Sequence, residues 1–276
     1  MRRFLAAIAL LTLFAGSAPA AELACPDIPV PPVSVPRLRA LLDSDQDAVI
    51  VSLGSSSTRS YLASDRAHSY PAVLQARLNE SLSFAHVAVI NRGVGGQDAA
   101  EEVARMDADV LAMRPALVIW QVGANGVLHH TNPELFEELV EAGIRRLQHA
   151  KMDVVLMDNQ RAPAILDAPG HAKLEQALAD AVKKTGASLF SRERLMDDWQ
   201  RAGYPYELFV GRDQLHHNDR GYDCVGRALA QAIVEGLGEF PPRAQATAAL
   251  SRGPSDRYIL RDERATGSIP ALAIGP

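Results

Sequence analysis

Val49-Ile50-Val51-Ser52-Leu53-Gly54-Ser55-Ser56-Ser57-Thr58 is a short apolar run that ends in one glycine and a cluster of hydroxyls. Residues 48–53 read as a buried strand, being continuous, rich in β-branched side chains and too short for a helix. In open parallel α/β sheets ligands bind beyond the carboxyl edge of the strands, so a hydroxyl just past Gly54 would face that crevice. Taken alone, the same Gly-Ser string also fits an ordinary turn, because such side chains bond their own backbone.

The chain beyond it alternates strand and helix. Further strands are expected at 87–90, 116–122, 154–157 and 187–190, and helices at 36–42, 70–82, 99–113, 133–150, 171–185 and 219–237. Tyr70, Val73, Leu74, Leu78 and Leu82 recur at helical spacing, and in the helix from Pro133 the inward set reads Leu135, Leu139, Ile144 and Leu147. Such alternation implies parallel βαβ units, hence a three-layer α/β/α sandwich with a flavodoxin-like sheet of about five strands. The strand ends carry small or polar residues: Asn91-Arg92-Gly93-Val94-Gly95-Gly96, Gly123-Ala124-Asn125-Gly126 and Asp158-Asn159-Gln160. The glycines at 93, 95 and 96 call for positive φ or close backbone approach.

At 276 residues, 47% hydrophobic and 22% charged, the chain fits one large globular domain, placed at 46–239. Residues 1–20 differ: Arg2 and Arg3 precede an apolar stretch ending in Ala18-Pro19-Ala20, the pattern of a cleavable secretory leader and too short for a membrane span. Its removal takes two of the 28 basic residues and none of the 33 acidic ones, leaving a balance of −7 with His neutral. No basic stripe points to nucleic acid. Residues 21–45 form a proline-rich, extended lead-in, and 240–276, rich in Ala, Gly, Pro and Ser, an aperiodic tail expected to be mobile. In an oxidising compartment Cys25 and Cys224 would tend to be bridged, the alternative being two separate buried thiols.

Near the C-terminus, Gly211-Arg212-Asp213-Gln214-Leu215-His216-His217 supplies a carboxylate three residues before an imidazole. Within one helical turn the two would face the same way, a base with its orienter. With Gly54-Ser55-Ser56-Ser57-Thr58, the block at 91–96, Gly123-Ala124-Asn125 and Asp213-Gln214-Leu215-His216 in this order, the sequence resembles the SGNH hydrolase superfamily of GDSL esterases and lipases. The resemblance implies Ser56 as nucleophile, Asp213 and His216 as acid and base, and an oxyanion hole formed by the backbone of Ser56 and Gly96 with the Asn125 amide. It departs from the family pattern where Ser55 replaces an aspartate, Gly126 an acidic residue and His217 a proline. None of these positions carries the attack or the proton transfer.

What the resemblance implies is a secreted or periplasmic carboxylic ester hydrolase without metal or cofactor. Short acyl groups such as acetyl on carbohydrate are the favoured substrates, because no long apolar lid segment is present. A silent glycan-binding or envelope-binding protein on the same fold, and an acyltransferase, stand as alternatives. Gln160, His129 and His217 are candidate substrate contacts; the first has loop capping as its alternative, and His129, His130 and His217 could in principle meet as zinc ligands.

Overall fold

The computed structural model describes residues 24–240. The leader expected over 1–20 lies outside them, as does all but the first residue of the tail expected over 240–276. The helices are α1 (Pro36–Asp43), α2 (Ser56–Arg59), α3 (Tyr70–Ser81), α4 (Ala99–Ala104), α5 (Met106–Asp109), α6 (Ala124–Leu128), α7 (Pro133–His149), α8 (Pro163–Leu166), α9 (His171–Thr185), α10 (Arg192–Arg201) and α11 (Asp219–Leu237). The strands are β1 (Ala48–Gly54), β2 (Val87–Gly93), β3 (Leu117–Gln121), β4 (Asp153–Met157) and β5 (Ser188–Phe190). None of the described helices is long and apolar enough to cross a membrane.

All five strands are parallel, in the order β2-β1-β3-β4-β5, which is the flavodoxin-like order. The side chains of β1 alternate between two cores. Val51 and Leu53, with Val118, Trp120, Val154 and Leu156, pack under α4, α5, α7 and α9 through Met106, Phe136, Ile144 and Leu178. The opposite face is covered by α1, α3 and α11, whose Leu38, Leu74, Leu78, Leu229 and Ile233 are buried. The chain leaves β1 towards β2 on one side and β3 on the other, so the crevice opens at the carboxyl ends of β1 and β3.

The structure departs from the sequence reading in several places. Strand β2 runs on to Gly93, because Asn91 Nδ2 donates to the Thr58 carbonyl at 2.7 Å and Gly93 pairs with Gly54. A Cβ on Gly93 would come within 2.1 Å of the Arg59 nitrogen, so only glycine admits that approach. The helix expected over 99–113 is broken at Arg105, whose guanidinium turns to the carbonyls of Gly54 and Arg92. In α7 the inward face is Phe136, Val140, Gly143, Ile144 and Leu147, with Leu135 exposed; Gly143 leaves room for the Trp120 ring. Helix α10 was hidden by its charges, although Leu195, Met196 and Trp199 are buried. Finally, residues 213–216 form a turn, not a helix.

The extended lead-in is packed into the domain. Val30, Val33 and Val35 are buried, and Val33 N–H donates to the Ala232 carbonyl of α11 at 3.1 Å. Cys25 is joined to Cys224 of α11 by a disulfide.

Candidate active site

Strand β1 delivers the chain to Ser55 and then to α2, with Ser56 as its first residue. The turn is held from beneath by Gln121 at the end of β3, fully buried, whose Oε1 accepts from Ser55 N–H (3.2 Å), Ser55 Oγ (3.3 Å) and Thr58 Oγ1 (3.1 Å). Ser55, in the place of the family's aspartate, is therefore part of the support for the turn.

The second part comes from the loop before α11. Gln214 adopts φ 58°, and Asp213 Oδ1 accepts the backbone N–H groups of Leu215 (3.1 Å) and His216 (3.0 Å). This side-chain turn brings Asp213 Oδ2 to 2.6 Å from His216 Nδ1, an alignment that a helix is not needed to produce. His216 Nε2 lies 2.6 Å from Ser56 Oγ. Burial pushes the Asp213 carboxyl up, but hydrogen bonds from the His216 ring and from the backbone of His216 and Leu215 outweigh it and hold the group below its ordinary value. The carboxylate thus accepts Nδ1–H, which leaves Nε2 free to accept the Ser56 proton.

The third part is the pair of loops after β2 and β3. Gly96 has φ 84°, and Gly95 lies beside the Ser56 side chain, since a Cβ on it would sit 3.9 Å from Ser56 Cβ. Asn125 Nδ2 donates to the Gln97 carbonyl at 2.7 Å, which locks the β3 loop to the β2 loop. Among the described residues neither Ser56 N–H nor Gly96 N–H has a partner, so both are available as donors.

The candidate substrate contacts do not all fall here. His217 is fully buried, its Nδ1 3.0 Å from the Phe209 carbonyl; burial and the neighbouring Arg192 charge push its pKa down to about 3, so it is a neutral packing residue away from solvent. Gln160 is also buried, and its Nε2 donates to the Leu215 carbonyl at 2.7 Å, so it holds the histidine loop rather than facing a substrate. His129 is exposed at the end of α6. His129, His130 and His217 form no metal-binding group; among the described residues only Cys25, Asp223 and Cys224 cluster in that way, and the two sulfurs are bonded to each other.

The profile of the non-GDSL lipase-like family matches residues 24–239, most of the chain and all but the last of the described residues. The chain belongs to that family. It is thereby a member of the SGNH hydrolase superfamily and a carboxylic ester hydrolase of that type. No curated protein sequence matches it. Among solved structures it is similar to a two-domain esterase active on acetylated mannans, at 22% identity and TM-score 0.64, covering 78% of this chain and 57% of that one. It also resembles an acetyl xylan esterase, at 21% identity and TM-score 0.57, covering 67% of this chain and 100% of the other. A third likeness is to an acetyl-xylooligosaccharide esterase variant from Geobacillus stearmophilus, at 16% identity and TM-score 0.57, covering 72% and 98%. These likenesses show a common fold.

Three residues of this family member escaped the sequence reading. Gln121 was visible only as the single polar residue closing an apolar strand. Arg105, mid-way through an apparent helix, gave no signal at all, yet its guanidinium reaches Gly54 O (2.8 Å), Arg92 O (2.8 Å), Gln97 Oε1 (2.6 Å) and Asp109 Oδ2 (2.9 Å). Tyr61, five residues after Ser56, places its ring edge-on to His216 with centroids 4.9 Å apart.

Proposed function

We propose that the protein is a serine esterase that works through an acyl-enzyme on Ser56 and acts on short acyl esters, acetyl on carbohydrate foremost. The observation that carries the reading is the 2.6 Å approach of Ser56 Oγ to His216 Nε2, with Asp213 2.6 Å behind the same ring. Ser56 Oγ attacks the ester carbonyl carbon as its proton passes to Nε2. The carbonyl oxygen becomes an oxyanion, for which Ser56 N–H, Gly96 N–H and the Asn125 amide serve as donors. Collapse of that intermediate expels the alcohol, which takes the proton from Nε2. Water then repeats the cycle on the acyl-enzyme, giving the carboxylic acid and regenerating Ser56. The resemblance to esterases of acetylated mannan and xylan supports the substrate class. The leader-like pattern at 1–20 supports secretion or a periplasmic location, which N-terminal sequencing of the exported protein tests.

A fluorophosphonate probe with intact-mass readout tests the nucleophile. Wild type gains one adduct, mapped to Ser56, and Ser56→Ala gains none; a silent binder on this fold would not react. On ethyl acetate, Ser56→Ala and His216→Ala lose about 10⁴-fold or more in kcat, and Asn125→Ala about 10²- to 10³-fold. Wild-type turnover by Ser56→Ala would remove this nucleophile. Product analysis with an alcohol acceptor present separates hydrolysis from acyl transfer.

A further inference from the structure

Four large apolar side chains stand exposed among the described residues, Tyr61, Phe84, Val94 and Leu135, and one of them, Tyr61, packs edge-on against the His216 ring that reaches Ser56. Val94 belongs to the loop on the Gly96 side, its N–H bonded to the Gly54 carbonyl at 3.0 Å. Tyr61, beside the His216 ring, is 56% exposed. Its exposure is not that of a loose loop tip. Tyr61 N–H donates to the Ser56 carbonyl at 2.9 Å, and its own carbonyl accepts the buried Tyr222 hydroxyl at 2.8 Å. Ser60 and Leu62 on either side are held at φ 63° and 70°, unusual for residues other than glycine. Ser60 is the left-handed C-cap of α2, so the cap fixes the Tyr61 backbone relative to Ser56.

Which half of an ester this ring meets follows from the chemistry. The leaving alcohol must lie next to His216 Nε2 to take its proton, whereas the carbonyl oxygen lies towards Gly96 and Asn125. A ring packed on the His216 imidazole therefore borders the alcohol. The exposed residues Arg59 and Ser64, close to Tyr61 in sequence, and Arg212, Asp213 and Gln214, on the loop of the histidine that it touches, are polar. An exposed aromatic ring on a loop whose other exposed residues are largely polar suits an alcohol that is itself flat, apolar on its face and hydroxylated at its edge; an alkyl chain would call for a continuous apolar trough.

We propose that Tyr61 is a specificity-determining residue, its ring forming a platform for the face of a sugar that is the alcohol half of the ester. This deepens the serine-esterase reading above and rests on it. The test compares three acetates with the same acyl group: ethyl acetate, phenyl acetate and a mono-O-acetylated methyl xylopyranoside, hydrolysed by wild type, Tyr61→Ala, Tyr61→Phe and Tyr61→Trp. The ratio of kcat/KM for the sugar acetate over ethyl acetate is expected to fall about tenfold in Tyr61→Ala, through KM. Tyr61→Phe and Tyr61→Trp should keep it within about threefold, and the pH profile of kcat/KM should not move in any variant. An unchanged ratio in Tyr61→Ala overturns the platform. So does an equal loss on both acetates with a shifted pH profile, which would make the ring a support for His216. A loss on phenyl acetate but not on the sugar acetate overturns the sugar assignment. Wild type inactive on all three and unreactive to fluorophosphonate would instead sink the esterase reading, an outcome distinguishable from the others.

Discussion

The Arg105 guanidinium donates to the Gly54 carbonyl at 2.8 Å, so a side chain at the break between α4 and α5 grips the last peptide before the Ser55-Ser56 turn. The same group reaches Arg92 O, Gln97 Oε1 and Asp109 Oδ2. Gln97 in turn accepts the Asn125 amide, so one planar cation registers the β1, β2 and β3 loops against each other. Lysine keeps the charge but cannot span four acceptors in a fixed fork. Arg105→Lys is expected to lower kcat about 10- to 100-fold with KM nearly unchanged, as small displacements of catalytic groups do. Steady-state kinetics on ethyl acetate check it, and full activity in the variant would show that the loops hold their register unaided.

Gln160 gives a prediction in which activity and stability part. Its Nε2 holds the Leu215 carbonyl next to His216, while its buried Oε1 has no partner among the described residues. Gln160→Leu removes one hydrogen bond, worth about 1 kcal/mol, together with an orphaned acceptor whose burial is itself unfavourable. Stability should therefore change by less than about 1 kcal/mol in urea, whereas kcat should fall about tenfold as the histidine loop loosens. A large stability loss at unchanged kcat would reverse this assignment.

The parts of the fold legible in the sequence were those whose pattern is local. Residues 171–185 and 219–237 were read to the residue because their apolar spacing is uninterrupted. The sequence of 99–113 reads as one helix because nothing local announces that Arg105 will turn inward to bond peptides distant in sequence. The spacing of Asp213 and His216 drew attention to the pair although the backbone between them is not helical: an aspartate turn, like a helical turn, puts residues three apart on one side. Gln160, just past the fourth strand, and His217, next to the Asp213–His216 block, read as pocket residues from their place in the sequence. Burial, a tertiary property, makes one a brace and the other core.

Glu102 makes stability depend on pH. It is buried against Trp120, whose Nε1–H donates to it at 2.8 Å, and burial pushes its pKa from 4.5 up to about 8 in spite of that bond and the nearby Arg105 charge. Below about pH 4.5 the group is protonated folded or unfolded and contributes no slope. Between about 4.5 and 8 the unfolded chain has released the proton that the folded one keeps, so stability falls as pH rises, and above 8 the loss levels off. The full loss is on the order of 5 kcal/mol. Asp158 and Glu175, raised to about 6 and about 7, slope the same way, so the test is a difference. Glu102→Gln should flatten the decline in urea stability between pH 5 and 8 relative to wild type, and parallel curves would refute the assignment.

The Cys25–Cys224 bond closes a loop of 199 residues, almost the whole described unit. In the chain-entropy account such a loop is worth up to about 5 kcal/mol, and measured values are commonly smaller. The lead-in that it fastens has anchors of its own: the buried Val30, Val33 and Val35, the Val33 bond to Ala232, and Ser34 N–H donating to Ser188 Oγ at 2.9 Å. The segment should therefore stay docked when the bond is absent, and the effect should fall on the unfolded chain. Cys25→Ser combined with Cys224→Ser is expected to lower Tm by roughly 5–10 °C. The rate of fluorophosphonate labelling at room temperature should stay near wild type, because the partners of Ser56 sit on the His216 loop and the β2 and β3 loops. Wild type heated in dithiothreitol should match the double variant. A Tm indifferent to the reductant would mean that the closed loop does not restrict the unfolded ensemble, whereas loss of labelling would mean that the bond also shapes the site.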